Sequence, residues 1–285
     1  MKSSGTLLVG TDFSEIANNA VINSATLAHQ LGYRLRILHA IDFMGMESSE
    51  WPKDGEIEAK LETLISSLPE DVEYESAIEE ADPRKILIRE SEKPEIAAVV
   101  VGYSGKSGLV DRIGSVASKA ARLIKKPVFI LTSSFDTKSK LIGCLDFSDT
   151  TKIVIDWVNR LAQRSKDPAL FVHVAIPLKR LIEYNLGDGA DDSPIPTFGG
   201  SESVYREHLN SALRRLEGLR KDDDLSILFD DSPCKALEDV SAEWYPSLLV
   251  LGRHEHNRLH ERILGSTAEH ILKYSNCSTL VVTEE

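Results

Sequence analysis

The sequence lacks the features that mark secreted, membrane-bound and nucleic-acid-binding proteins. Its three cysteines, Cys144, Cys234 and Cys277, are odd in number and widely spaced, so they indicate neither a disulfide framework nor a cysteine zinc site and fit a reducing compartment. No apolar run approaches the ~20 residues of a membrane span, and no targeting segment precedes the first apolar run. The net charge of −12 provides no basic face for nucleic acid or anionic membranes. We therefore expect a cytoplasmic protein that binds neither.

Recognised catalytic arrangements are missing as well. The sequence has no Gly-x-Ser-x-Gly elbow and no His-Glu-x-x-His helix. Cys234 precedes a predicted helix whose dipole could lower its pKa, but we interpret it as a plain, partly buried thiol. Lys106 and Ser107 do not complete a P-loop, because Val100 stands where that motif needs its first glycine. No residue is therefore predicted to be catalytic.

One pattern is present, and it occurs twice: an apolar strand, a loop, a glycine before a helix, and a second apolar strand. The copies lie at residues 96–131 and 247–282. Backbone N–H groups at a helix N-terminus bind anions, and glycine lets a ligand approach the main chain. The repetition predicts phosphate binding by at least one copy. The alternative is a structural role only, with turn glycines and helix-capping serines: Gly102, Gly252, Ser115 and Ser266.

Strands alternate with helices through the first half of the chain. Apolar runs predict strands at Thr6–Gly10, Leu35–Ile41, Val72–Ile78, Ile96–Val101 and Pro127–Leu131. The amphipathic segments between them predict helices, the first capped by Ser14 and ended by Gly32. This alternation predicts an α/β fold with right-handed crossovers and an open parallel sheet that is covered by helices on both faces.

The second half repeats the first, which indicates two tandem domains. The Asp-Phe-Ser turn at 12–14 recurs at 146–148, an offset of 134, whereas Gly102 and Gly252 are 150 positions apart. The offset is still 134 between His39 and His173 but already 150 between Pro83 and Pro233, so a net insertion of 16 residues lies between residues 173 and 233, in a segment rich in glycine and proline. The predicted domains are residues 1–136 and 137–285, and the insertion is expected near 185–200 as a surface loop or, alternatively, a lid.

With the two Asp-Phe-Ser turns and the two Gly…Gly-Ser patterns, the chain resembles the universal stress protein family in its tandem two-domain form. The resemblance covers nearly the whole chain. It implies two Rossmann-like domains, each an open five-stranded parallel sheet with helices on both faces. Family members that bind ATP carry Gly-x2-Gly-x9-Gly-Ser/Thr after strand four. In them the aspartate after strand one and main-chain atoms at the end of strand two hold adenine and ribose.

The resemblance implies a set of nucleotide-binding positions in each domain, with ATP, alone or with Mg, as the ligand and no metal site formed by the protein itself. In the first domain these positions are Asp12, Ala40, Gly102, Gly105, Lys106, Gly114 and Ser115. In the second they are Asp146, Val174, Gly252, Gly265, Ser266 and Thr267.

Neither domain matches the family pattern fully. In the first, eight residues rather than nine separate Gly105 from Gly114, which could shift the helix start by up to ~3.5 Å. In the second, Glu255 replaces the second glycine and brings negative charge toward the expected phosphates. Arg253 and Arg258 could offset that charge, or Glu255 could engage a nucleotide-bound metal ion. We favour the first domain as the binding site.

Five of the eight histidines fall into two groups. His254, His256 and His260 lie in the loop of the second domain, and we expect them to be solvated or to face phosphate rather than to hold zinc. His39 and His173 end the second strand of each domain, where packing or a hydrogen bond to the neighbouring turn is the expected role.

The resemblance predicts a cytoplasmic stress-response protein that binds an adenine nucleotide and passes that state to an unidentified protein partner. At most slow ATP hydrolysis is expected. The alternatives are a scaffold that has lost nucleotide binding and, third, an enzyme of the related adenosine-binding α/β group. The resemblance also implies that the last strands of the domains, Val128–Leu131 and Leu280–Val282, pair across an internal pseudo-twofold axis. One chain would then imitate a dimer, and a further homodimer stays open.

Overall fold

The computed structural model describes residues 5–43, 51–103, 115–163, 167–185, 201–253, 264–274 and 276–283. The strands are β1 (Thr6–Thr11), β2 (Arg34–Ile41), β3 (Tyr74–Glu80), β4 (Ile96–Gly102), β5 (Val128–Leu131), β6 (Lys140–Leu145), β7 (Leu170–Ala175), β8 (Asp224–Phe229), β9 (Ser247–Arg253) and β10 (Ser278–Thr283). The helices are α1 (Glu15–Leu31), α2 (Glu56–Ile65), α3 (Pro83–Ser91), α4 (Ser115–Leu123), α5 (Thr150–Ala162), α6 (Leu178–Asn185), α7 (Glu202–Leu213), α8 (Pro233–Glu243) and α9 (Ser266–Tyr274). The predicted α/β alternation is confirmed. The insertion predicted near 185–200 lies almost entirely outside the described residues.

All ten strands belong to one sheet, in the order β3-β2-β1-β4-β5-β10-β9-β6-β7-β8. The strands of each domain are parallel to one another, and β5 pairs with β10 in the antiparallel direction. The register places Thr279 opposite Ile130, Leu280 opposite Phe129, and Val281 opposite Val128. The predicted pairing of the last strands is therefore confirmed, and it joins two five-stranded sheets into a continuous one.

Helices cover both faces of this sheet. On one face a core cluster includes side chains of α1, α2, α5 and α7; on the other it includes side chains of α3, α4, α8 and α9. Neighbouring residues in a strand point to opposite faces, so Leu7 and Val9 enter the first cluster and Leu8 enters the second. This explains why the inner strands read as continuous apolar runs rather than as alternating ones.

The first helix forms as its sequence predicts. Ser14 has extended backbone angles, and its hydroxyl accepts a hydrogen bond from the Ala17 N–H at 3.2 Å. At the other end Gly32 adopts φ of 69°, a left-handed conformation that glycine reaches without a Cβ clash. The third strand differs slightly from its prediction and runs from Tyr74 to Glu80, because its register on β2 begins with Tyr74 opposite Leu35.

A buried carboxylate holds α3 to the sheet. The Glu90 side chain is 2% exposed and accepts hydrogen bonds from Arg36 Nη2 at 2.7 Å and Lys93 Nζ at 2.6 Å. Burial raises the pKa of Glu90, but the Lys93 hydrogen bond and the Arg36 charge outweigh it, so the pKa lies below the ordinary glutamate value. A depressed carboxyl pKa stabilises the fold above the unfolded-state pKa, and this contribution is lost as the pH falls through the folded-state pKa.

Glu90→Gln is therefore expected to lower the free energy of unfolding at pH 7 by about 1–3 kcal/mol. The difference from wild type should shrink below about pH 5 as the wild-type carboxylate becomes protonated. Urea denaturation across this pH range measures both effects. Glu75→Gln is the matched control, because Glu75 binds Arg36 Nη1 at 2.6 Å but its side chain is 54% exposed. An equal loss in both variants would contradict the role given to burial.

Candidate functional site

The candidate sites lie where the strand order of each domain reverses. After β3 the chain crosses back over β2 and β1 to form β4 on the other side of β1, and in the second domain it crosses in the same way from β8 to β9, which lies beside β6. Open parallel sheets bind ligands in the crevice at the carboxyl ends of such strands. Because β5 and β10 are antiparallel, the strands of the two domains have their carboxyl ends on opposite sides of the sheet.

A strained turn leaves the first strand of each domain. Phe13 and Phe147 both have φ of 61°, a conformation that is uncommon for bulky residues. The preceding aspartate closes each turn: Ser14 N–H donates to Asp12 Oδ1 at 2.9 Å, and Ser148 N–H donates to Asp146 Oδ1 at 3.0 Å. The Asp146 Oδ1 atom also accepts from the Ser148 hydroxyl at 2.6 Å. Each carboxylate is thus oriented by its own turn.

A histidine from the second strand supports each turn. His39 Nδ1–H donates to the Thr11 carbonyl at 2.8 Å, and its ring lies 4.4 Å from the Phe13 ring, centroid to centroid. His173 donates to the Leu145 carbonyl at 2.8 Å, with its ring 4.5 Å from Phe147. Burial lowers the pKa of His39, although the Thr11 hydrogen bond opposes this shift. The predicted role, packing and a hydrogen bond to the turn, is confirmed in both domains.

In the second domain a cavity of about 180 Å³ lies at the switch point, between the sheet and α8 and α9. Four of the six predicted positions line it: Asp146, Val174, Gly252 and Thr267. Gly265, with φ of 81°, precedes α9, and Ser266 is its first residue. The capping interpretation of Ser266 does not hold, because the residue before the helix is Gly265.

The cavity wall also contains Cys144, which sequence reasoning did not place there. It lies two residues before Asp146 and corresponds, at the offset of 134, to Gly10 of the first domain. Burial raises the pKa of the Cys144 thiol far above its usual range. Burial also raises the pKa of Cys234, against the opposing effect of a hydrogen bond from Thr267. Both cysteines therefore remain thiols at neutral pH, as interpreted for Cys234.

In the first domain Asp12, Ala40 and Gly102 lie at or just beyond the carboxyl ends of β1, β2 and β4, which are neighbours in the sheet. Ser115 is the first residue of α4. Gly105, Lys106 and Gly114 fall outside the described residues. Asp12 also lines a cavity of about 810 Å³ between α1 and α2, on the opposite face from α4.

Gly102, at the end of β4, and Gly252, next to the end of β9, have a packing role. Neither the phosphate-binding nor the turn interpretation of these glycines anticipated it. A Cβ atom on Gly252 would lie 2.2 Å from Thr150 Oγ1 and 2.8 Å from Thr150 Cβ. A Cβ on Gly102 would lie 3.1 Å from the Ile16 carbonyl and 3.2 Å from Ala17 Cα. The first turns of α5 and α1 therefore pack directly on the strand backbone. This packing opposes a side chain strongly at Gly252 and more weakly at Gly102, whether or not a ligand binds.

Arg253 is oriented differently from its prediction. One of two alternatives had Arg253 offset the charge of Glu255, but its guanidinium is buried against α4 of the first domain, where it donates to the Ala121 and Ile124 carbonyls. Glu255, Arg258 and the histidines at 254, 256 and 260 fall outside the described residues.

Two further findings concern metals and membranes. Within the described residues no group of three or more histidine, cysteine, aspartate or glutamate side chains is arranged to hold a metal ion. In the same ranges no helix combines the length and apolar content needed to cross a bilayer.

Together the fold and the switch-point crevices define a tandem pair of doubly wound α/β domains. The model of the universal stress protein family matches the chain twice, over residues 4–132 and 139–283. The chain therefore belongs to the universal stress protein family, as its sequence motifs predicted.

Known relatives agree with this assignment. Universal stress protein Sll1388 of Synechocystis sp. is 26% identical over 158 residues, which is 50% of this chain and 96% of the relative. A universal stress protein structure from Archaeoglobus fulgidus aligns over 99% of both chains, with 18% identity and a TM-score of 0.67. A putative universal stress protein from Pseudomonas aeruginosa covers 98% of this chain and 93% of its own, with 14% identity and a TM-score of 0.63. At these identities the structures show the shared fold.

Proposed function

We propose that this protein binds an adenine nucleotide, ATP with or without Mg²⁺, in the switch-point crevice of each domain. In this proposal it acts in a cytoplasmic stress response through a nucleotide-dependent change that a protein partner recognises. The observation that carries the proposal is the second-domain cavity, in which Asp146, Val174, Gly252 and Thr267 come together from four separate elements.

The chemistry of this cavity suits a nucleoside. Asp146 presents a carboxylate that its own turn orients, which is an acceptor for ribose hydroxyls. The end of β7 at Val174 supplies main-chain groups for a base. A volume of about 180 Å³ is below the roughly 300–1,000 Å³ of drug-sized ligand pockets, so it fits a base or sugar rather than a whole nucleotide. The phosphates would then lie outside the cavity, over the first turn of α9 at Thr267, where backbone N–H groups favour anions.

The first domain offers the same elements at the opposite edge of the sheet. Asp12 is exposed and held by the Ser14 N–H, and α4 begins at Ser115. The preference for this domain, which came from the intact Gly102-x2-Gly105 spacing, stays a prediction. We propose both domains as sites, and the stoichiometry of binding tests this.

The decisive experiment is to denature freshly purified protein and to identify the released small molecules by chromatography and mass spectrometry. Calorimetry with Mg-ATP on the nucleotide-free protein then gives the number of sites. Bound ATP or ADP, or a calorimetric titration near two equivalents, would support the proposal. Absence of both nucleotide and binding heat would reject it in favour of a scaffold that acts through protein contacts alone.

Asp146→Ala is expected to weaken Mg-ATP binding in the second domain by about tenfold or more, because a hydrogen bond to a charged group is lost. Asp149→Ala is the matched control, since Asp149 is exposed three residues away and makes no capping hydrogen bond to α5. Asp12→Ala should have the corresponding effect in the first domain. Equal affinities for Asp146→Ala and Asp149→Ala would exclude Asp146 from the site.

A further inference from the structure

Helix α4 begins at the candidate site of the first domain and ends against a residue that adjoins the second-domain cavity. It connects β4 to the parallel strand β5. It therefore begins on the side where the first-domain strands have their carboxyl ends and finishes on the side where they have their amino ends. Because β10 runs antiparallel to β5 and parallel to β9, the amino ends of the first-domain strands lie on the same side of the sheet as the carboxyl ends of the second-domain strands. The first turn of α4 therefore lies at the first site, and its last turn lies near the second.

One buried side chain of the second domain donates hydrogen bonds to backbone carbonyls at the end of this helix. Arg253 ends β9, directly after Gly252, which lines the second-domain cavity. Its guanidinium donates from Nη1 to the Ala121 carbonyl at 2.6 Å and from Nη2 to the Ile124 carbonyl at 2.9 Å. The residue is 2% exposed, and its side chain is the largest of the fully buried ones among the described residues.

The contact is chemically specific. The last carbonyls of a helix accept no hydrogen bond from within the helix, and they lie at the negative end of its dipole. A guanidinium has a fixed fork of donors and a permanent charge, so it meets two such carbonyls in one geometry. Inside the protein the charge cannot exchange these partners for water, so a shift of the β9 end must move α4 or break the contact.

We propose that Arg253 couples the two nucleotide sites, by transmitting a shift of the β9 end in the second-domain cavity to α4 and thus to the first-domain site. This inference rests on the proposed nucleotide binding in both domains. By linkage the coupling is reciprocal: nucleotide at either site changes the affinity of the other by the same factor. Arg253 acts as a positioning residue, since it touches α4 rather than the ligand.

The two domains are not equivalent in this respect. At the offset of 150, the residue that corresponds to Arg253 in the first domain is Tyr103, which is also buried. A phenol hydroxyl has one hydrogen to donate, so it cannot bind two helix-end carbonyls as a guanidinium does. In this contact the guanidinium therefore belongs to the second domain and the helix-end carbonyls belong to the first.

The test is calorimetry with Mg-ATP on wild-type protein and on Arg253→Met, which keeps an unbranched apolar side chain but removes the donors. Asp12→Ala and Asp146→Ala give the affinity of each remaining site on its own. In the wild type the affinity of one site should change by at least about fivefold when the other is filled. In Arg253→Met the two sites should titrate independently, and Arg253→Lys, which retains the charge, should restore part of the coupling.

Arg122→Met is the matched control. Arg122 is on the same helix and pairs with Glu269 across the same domain boundary, but its side chain is 45% exposed, so the coupling should persist. Circular dichroism verifies that each variant is folded. Two independent sites in the wild type, or equal coupling in wild type and Arg253→Met, would overturn the inference while leaving nucleotide binding intact. No binding by the wild type would instead reject the proposed function, and this inference with it.

Discussion

Phe129→Ala is expected to lower the free energy of unfolding by about 3–5 kcal/mol, because it opens a cavity in a fully buried site. Phe129 lies in β5, opposite Leu280 of β10, and is 0% exposed. Its ring packs edge-on against Trp157 of α5, with the ring centroids 5.9 Å apart. One side chain therefore contributes to the pairing of the two sheets and to the packing of a second-domain helix on the first domain.

Urea denaturation followed by circular dichroism measures this effect. Leu123→Ala is the control, because Leu123 is a large apolar residue near the same boundary but is 43% exposed, so its removal should cost less than about 1 kcal/mol. If the domains unfold as one unit, Phe129→Ala should shift a single transition. A loss confined to the first domain, with the second unchanged, would contradict the shared core.

Gly252→Ala is expected to lower the free energy of unfolding by about 3 kcal/mol, since its Cβ would overlap Thr150 at the start of α5. The same change should weaken nucleotide binding, because α5 follows the turn that holds Asp146, and the Thr151 hydroxyl donates to Asp146 Oδ1 at 3.2 Å. Denaturation and calorimetry give the two readouts separately.

Two other glycines of the sheet, Gly102 and Gly10, provide a graded control. Gly102→Ala, with Cβ contacts of 3.1–3.2 Å, should cost about 1–2 kcal/mol. Gly10→Ala, whose Cβ would lie 3.7 Å from Leu87, should change stability by less than about 1 kcal/mol and could increase it. In the double variant Gly252→Ala/Thr150→Ala, part of the loss should be recovered. Equal losses at all three glycines would show that close packing is not the cause.

The positions at the strand ends could be predicted because they follow from local signals. Asp12 and Asp146 each follow an apolar strand and begin an Asp-Phe-Ser turn, and these signals depend on neighbours in sequence. The glycines were recognised by the same means, but the reason for them was not. Whether Gly252 approaches a ligand or Thr150 depends on how a helix that begins a hundred residues earlier packs on the strand, and spacing carries no information about that.

Arg253 and Cys144 show the same limit. In sequence Arg253 stands at the start of a loop rich in charge, which favoured a role near phosphate, yet its side chain points across the domain boundary to Ala121 and Ile124. Cys144 lies in a buried strand, and nothing in the strand pattern distinguishes a cavity-lining position from a packed one. Both outcomes depend on contacts between elements that are distant in the chain.

The sequence by itself determined the α/β class, the tandem repeat, the family and the strand ends that carry the candidate sites, and the resemblance to the family implied the pairing of the last strands. Periodicity, caps and repeated motifs are local, so one chain suffices to recognise them. Only the tertiary structure decided which side chains meet in the second-domain cavity, how closely helices pack on Gly102 and Gly252, and how Arg253 contacts the first domain. Those choices are made by strand register and helix packing, where shifts of an ångström determine whether two atoms touch.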